Sequence, residues 1–182
     1  MMDPLYRRLL SDRFDILPAP IRRMHGRPGA MIAKGSCEVS WGKSWIGRLA
    51  MRLLRMPRPG RDLPLEVRFF PECGGERWER HFPGTTFRTL LRPSEGRHRG
   101  LFRERMGAVV GTVRLHADAA GLDYEVLETR LLGIRIPLRS SARETAENGV
   151  FAFSVELSLP GLGRLIRYAG TLAAPVEASQ IR

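Results

Sequence analysis

The chain has 182 residues, of which 43% are hydrophobic and 27% charged, enough to bury one core without disulfides and too balanced for a disordered or collagen-like chain. No run approaches the ~20 apolar residues that a membrane-spanning helix needs. Thirty Lys and Arg against nineteen Asp and Glu give a net charge of +11, an excess that reads either as an Arg-rich codon bias or as attraction to phosphate, on nucleic acid or on anionic lipid head groups.

Taken in chain order, Asp3-Pro4 opens a short helix on which Leu5, Leu9 and Leu10 share a face with Tyr6 nearby. Residues 18–25 form a second, stopped by Gly26, and Arg27-Pro28-Gly29 turns. Residues 30–41 read as a strand around Ile32, Val39 and Trp41. Ser44 then caps an amphipathic helix over 45–56. Its apolar stripe is Trp45, Ile46, Leu49, Leu53 and Met56, beside a basic stripe of Arg48, Arg52 and Arg55. From residue 63 the period changes from 3.6 to 2. Leu65, Val67 and Phe69 alternate with charged residues, as do Trp78 and Phe82, and Cys73-Gly74-Gly75 and Pro83-Gly84 mark turns. Phe87, Thr89 and Leu91 follow. Pro93-Ser94-Glu95-Gly96 then separates them from a strand over 98–106. Val109, Val113 and Leu115 precede a turn at Ala119-Ala120-Gly121, which leads to Leu122, Tyr124 and Val126. Ile134 and Ile136 make a short piece. Asn148-Gly149 is a hairpin turn. The strictest alternation is Phe151, Phe153, Val155, Leu157 and Leu159, and Ile166, Tyr168 and Leu172 close the series.

Short strands at this spacing predict an α+β fold dominated by an antiparallel sheet of about eight to nine strands, curved into a barrel or half-barrel. The N-terminal helices pack against it or over its opening. One domain is expected over 1–173, with a basic, helix-rich part over 1–62, a sheet over 63–173 and a loose tail over 174–182. Residues 1–62 hold thirteen basic and five acidic side chains, whereas 63–182 hold seventeen and fourteen, so the basic excess is N-terminal.

Four stretches carry a resemblance. Leu5-Tyr6-Arg7-Arg8-Leu9-Leu10, Gly75-Glu76-Arg77-Trp78-Glu79-Arg80, Leu131-Leu132-Gly133-Ile134 and the run from Leu159-Pro160-Gly161 to Tyr168-Ala169-Gly170 resemble the bacterial family called domain of unknown function 4166, over about residues 5 to 173. The resemblance implies no activity. In some relatives the module looks like an appendage to saccharopine-dehydrogenase-like NAD(P)-binding proteins, which implies an oxidoreductase partner in trans as one role.

Few residues point to catalysis. Cys37 and Cys73 lie in no CxxC, and His25, His81, His98 and His116 have no metal-ligand spacing. No metal and no cofactor is therefore expected. Gly161-Leu162-Gly163 precedes a strand and lacks the third small residue of a dinucleotide fingerprint. Glu76, Glu79 and Glu104 lie among Arg77, Arg80, Arg103 and Arg105, which reads as cross-strand Glu–Arg ladders. The expected function is binding without catalysis, of a lipidic or amphipathic anionic small molecule in the curved sheet. Trp78, Tyr124 and Tyr168 supply amphipathic aromatic walls, and Arg88 and Arg167 charge-assisted hydrogen bonds to the head group. Arg48, Arg52, Arg55 and Arg58 either contact an anionic membrane surface or meet only water while the stripe beside them packs on the sheet. Nucleic-acid binding through the basic N-terminal region is the alternative, and the lack of a reading element argues against it. The N-terminus has no apolar leader core, so a cytoplasmic location, peripheral to membrane at most, is expected.

Overall fold

A computed structural model describes residues 3–94 and 100–178. Glu95, Gly96 and His98, read above as turn and strand, lie outside the described residues, as do 179–182 of the tail. The elements are α1 (Leu5–Leu10), a 3-10 turn (Ser11–Phe14), α2 (Ala19–His25), β1 (Met31–Trp41) and α3 (Trp45–Leu53). The strands then follow as β2 (Gly60–Glu72), β3 (Gly75–Phe82), β4 (Thr85–Pro93), β5 (Leu101–Met106), β6 (Val109–Ala117) and β7 (Gly121–Leu131). The last are β8 (Ile134–Ile136), β9 (Arg139–Glu147), β10 (Val150–Leu159), β11 (Gly163–Leu172) and β12 (Val176–Glu177).

Ten strands form a closed antiparallel barrel. Each of β1 to β7 pairs with the next, β7 pairs with β9, and the series runs on through β10 and β11, which returns to β1. Closure runs from Gly35 opposite Leu172 to Trp41 opposite Ile166. The seam is tight: a Cβ on Gly35 would lie 1.9 Å from the Thr171 carbonyl oxygen, and one on Gly170 2.1 Å from that of Ser36. Glycine is required where two backbones approach this closely. Register shifts at Cys37/Val39, Thr112/Val113 and Leu157/Ser158 add the local twist that bends strands around a barrel.

The two outer strands are β8, which pairs with β7, and β12, which pairs with β1 through Met31 and Ile32. The tail expected to be loose is therefore held there by its first part. The expected strand count was low because β9 has almost no apolar alternation. Its inward positions include Ser140, Ala142, Glu144 and Ala146.

The two ends of the barrel differ. At one, α1, the 3-10 turn and α2 bury Leu5, Tyr6, Phe14, Ile21 and Met24 in one core cluster with Phe69, Trp78, Phe102, Leu122 and Phe151. Glu76 latches this cap, accepting from the Leu5 backbone N–H and from Trp78 Nε1, each at 3.0 Å. Its carboxylate at the start of α1 also complements the helix dipole. Glu76 thus serves the cap and not a strand ladder.

At the other end lies α3. Ser44 caps it as expected, accepting from Gly47 N–H. The helix ends at Leu53, and it docks on β11 through Gly47 and Met51, with Gly47 close against Leu165. A glycine on the docking face lets the helix approach closely. The larger residues of the apolar stripe are thereby turned outward: Trp45, Ile46, Leu49 and Leu53 are exposed, and only Met56 of the five is buried. No helix among the described residues is long and apolar enough to cross a membrane.

Candidate functional site

Because side chains alternate across a strand, one residue of parity decides which groups enter the barrel. Trp78, Tyr124 and Tyr168 all enter it. Arg88 and Arg167, expected beside them, do not. Arg88 lies on the outer face, its Nε 2.8 Å from Glu79, and Arg167 is exposed next to inward-facing Tyr168. The arginine inside is Arg80, two residues beyond Trp78 on the same face of β3. The alternation that points Trp78 inward points Arg80 inward too, so the signal was present. Of the expected Glu–Arg ladder, Glu79 pairs with Arg77 on its own strand and, across the strands, with Arg88 instead of Arg80, Arg103 or Arg105, whereas Glu104 faces the lumen.

The lumen holds two chambers. The chamber under the α1–α2 cap has a volume of about 100 Å³ and is walled by Leu65, Val67, Phe69, Phe102, Phe151 and Phe153, among others. The chamber on the α3 side measures about 110 Å³ and is walled by Phe87, Met106, Val113, Val126 and Leu157, among others. Three residues line both: Arg80, Glu104 and Tyr168. They form a polar waist between the two chambers.

Arg80 donates from Nη1 to Thr89 Oγ1 at 2.9 Å, and its guanidinium lies over Trp78 at 5.0 Å and Phe87 at 5.4 Å. Stacking on two aromatic rings positions the cation and stabilises it. Arg80 makes no ion pair among the described residues, and neither does Glu104 across the waist. Burial pushes the Tyr168 hydroxyl pKa up, with the nearby Arg80 charge opposing that rise.

A second polar cluster closes the capped chamber. Glu144 on β9 takes the His25 Nε2 contact at 2.8 Å and the Tyr124 hydroxyl at 2.6 Å. The Tyr6 and Tyr124 hydroxyls are 3.1 Å apart. Tyr124 has one proton and donates it to the carboxylate, which leaves Tyr6 as donor to Tyr124. Burial, then the Glu144 charge, pushes both phenols well above their ordinary range. His25 stacks on Tyr6 at 4.1 Å and on Trp78 at 5.5 Å. The other ring nitrogen, Nδ1, is buried and has no partner among the described residues. The cluster thus leaves an unpartnered ring nitrogen at the wall of the capped chamber, and no Ser, Thr or Cys side chain hydrogen-bonds to it among the described residues. Sequence reading missed Glu144 because it missed β9, and left His25 aside because α2 and β9 lie far apart in the chain.

The other expected contacts, Arg48, Arg52, Arg55 and Arg58, are exposed on and after α3. Among the described residues no group of three His, Cys, Asp or Glu side chains converges as a metal site would require. The sequence model of the family described as domain of unknown function 4166 matches residues 17–172. No curated protein and no solved structure matches the chain.

Proposed function

We propose, for a chain that belongs to the domain of unknown function 4166 family, that the barrel is a binding protein for a compact amphipathic anion held in its lumen. The polar waist carries this reading. Arg80 is an inward cation without a carboxylate partner among the described residues, placed between two apolar chambers. An anionic group on Arg80 leaves an apolar body free to lie in either chamber, and Glu104 accepts from a hydroxyl or amide N–H on the same molecule. Size supports a small ligand: each chamber is below the ~150 Å³ of an apolar cavity that takes a benzene ring. A short acyl anion that spans the waist into both chambers fits that scale, and a long-chain lipid fits only if the cap moves.

The test compares octanoate, octylamine and octanol by calorimetric titration and by thermal melting, where a ligand that binds only the folded state raises the midpoint. Octanoate should bind about ten-fold or more tightly than octylamine, a difference of about 1.4 kcal/mol. Arg80→Gln should remove that preference while leaving the unliganded melt near wild type. Failure of all three to bind, or an unchanged preference in Arg80→Gln, refutes the reading.

A further inference from the structure

The α3 end of the barrel exposes a cluster of large apolar side chains. Trp45 is 73% and Leu53 76% exposed on α3, and at the β7–β8 hairpin Leu132 is 78% and Ile134 72% exposed. The two groups share one end of the molecule. The Arg55 carbonyl, just past α3, accepts from Thr85 at the β3–β4 turn, and Leu132 N–H donates to Ala108 at the β5–β6 turn. A groove between them is lined by Leu54, Met56, Phe87, Met106, Val109 and Leu131, among others. Four of these, Met56, Phe87, Met106 and Val109, also wall the α3-side chamber.

Two further observations say what covers this surface. The first is charge. From Val39 to Arg61 the chain holds Lys43, Arg48, Arg52, Arg55, Arg58 and Arg61 and not one acidic residue. The second is backbone strain at the tip. Leu132 and Gly133 are the two central residues of a tight hairpin turn, with φ of 51° and 83°. Asn148 and Gly149 fill the same turn in the β9–β10 hairpin, with φ of 50° and 78°. Asn suits that left-handed position and a bulky aliphatic does not. An exposed leucine held there serves neither packing nor the turn.

We infer that this end docks on an anionic lipid bilayer, with Trp45, Leu53, Leu132 and Ile134 entering the interface and the arginines of the α3 segment facing the head groups. Apolar side chains need an apolar phase, which nucleic acid does not offer to leucine and isoleucine. A two-fold dimer through the same surface sets the arginine cluster of one copy against that of the other. A bilayer with acidic head groups satisfies both the apolar and the basic parts. Docking would place the groove, and the chamber wall it shares, against the lipid. It stands whether or not the lumen takes an anion.

Co-sedimentation with vesicles of phosphatidylcholine alone and of phosphatidylcholine with phosphatidylglycerol tests this. The wild type should pellet with the acidic vesicles, release as salt rises, and shift Trp45 fluorescence to the blue. Arg52→Gln/Arg55→Asn/Arg58→Gln should weaken binding by roughly a hundred-fold. This set spares Arg48, whose Nε donates to the Gly42 carbonyl at 3.0 Å. Leu132→Asn is the decisive variant: it should melt at or above the wild-type temperature and yet bind acidic vesicles about ten-fold less. Arg80→Gln should bind vesicles as the wild type does, which separates docking from lumen binding. The inference is overturned by equal pelleting with both vesicles, by none, by undiminished binding of Leu132→Asn, by a lipid-free dimer that buries Trp45, or by tighter binding to a DNA duplex at the same salt.

Discussion

Arg55 has φ of 53°, the left-handed conformation just past the end of α3. Met56 N–H donates to the Met51 carbonyl and Arg55 N–H to that of Arg52, at 2.9 and 3.0 Å, the pair of bonds that closes a helix when a glycine occupies the Arg55 position. Arginine there costs conformational energy that glycine avoids, partly offset by glycine's greater freedom in the unfolded chain. Arg55→Gly should raise the unfolding free energy by about 0.5–1 kcal/mol in urea titrations, so keeping arginine at this point exchanges stability for surface charge. The two cysteines differ for an equally local reason. Burial pushes the Cys37 thiol up to about 11, whereas Cys73 is exposed. Iodoacetamide at neutral pH should alkylate Cys73 alone in the folded protein, and both thiols after unfolding, as read by intact mass. Modification of native Cys37 at a comparable rate would show that β1 opens locally.

At the scale of the strand, Phe151 and Phe153 share a face of β10 but not an environment. Phe151 is buried in the aromatic cluster beneath the cap, stacked edge-on to His25, while Phe153 is partly exposed and lines the capped chamber. Phe151→Ala should therefore cost ~3–5 kcal/mol and Phe153→Ala clearly less, because one side of Phe153 already lacks packing partners. Equal losses in denaturant titrations of the two variants would mean that the chamber collapses around Phe153. β10 was also the most legible strand, since its inward positions are all apolar. Its neighbour β9 was illegible for the converse reason: Ser140, Ala142 and Glu144 face inward there, so no hydrophobic alternation marks the strand. The fold error and the site error are thus one event, because the strand without a signal is the one that carries the carboxylate of the buried cluster. The inward placement of Arg80 is legible by parity with Trp78, whereas expecting Arg88 beside Trp78 weighs charge without asking which face the strand presents. For α3 the helix and its cap were legible from residues 44–53, but not the face that docks. The apolar moment points away from the barrel, and the small side of the helix, at Gly47, makes the contact.

The whole molecule sets a capped, polar-latched end against one that exposes large apolar side chains, and the phenols inside the barrel make stability depend on alkaline pH. Tyr6 and Tyr168 are buried and Tyr124 is half-buried with its hydroxyl on Glu144, and desolvation raises the pKa of all three hydroxyls. In the unfolded chain a tyrosine ionises at ~10. Above that pH the unfolded state loses protons that the folded state retains, so stability falls as pH rises. The stabilisation from keeping these phenols neutral is complete below about pH 10 and is lost progressively above it, while Cys37 begins the same decline from ~8.5, the ordinary thiol value. Each unit by which a folded-state pKa exceeds its unfolded value is equivalent to about 1.4 kcal/mol. The melting temperature should therefore stay level from pH 7 to about 8.5, slope gently as Cys37 enters, and fall steeply beyond pH 10. Tyr124→Phe separates the contributions. It removes one titrating group from the steep limb, and it also removes the hydroxyl that donates to Glu144, so it should melt lower at neutral pH and show a shallower fall above pH 10. Absorbance at the phenolate wavelength, followed alongside the melt, gives the independent check. The buried tyrosines should ionise only as the protein unfolds, and a phenolate signal that rises while the barrel remains folded would place those hydroxyls in contact with water.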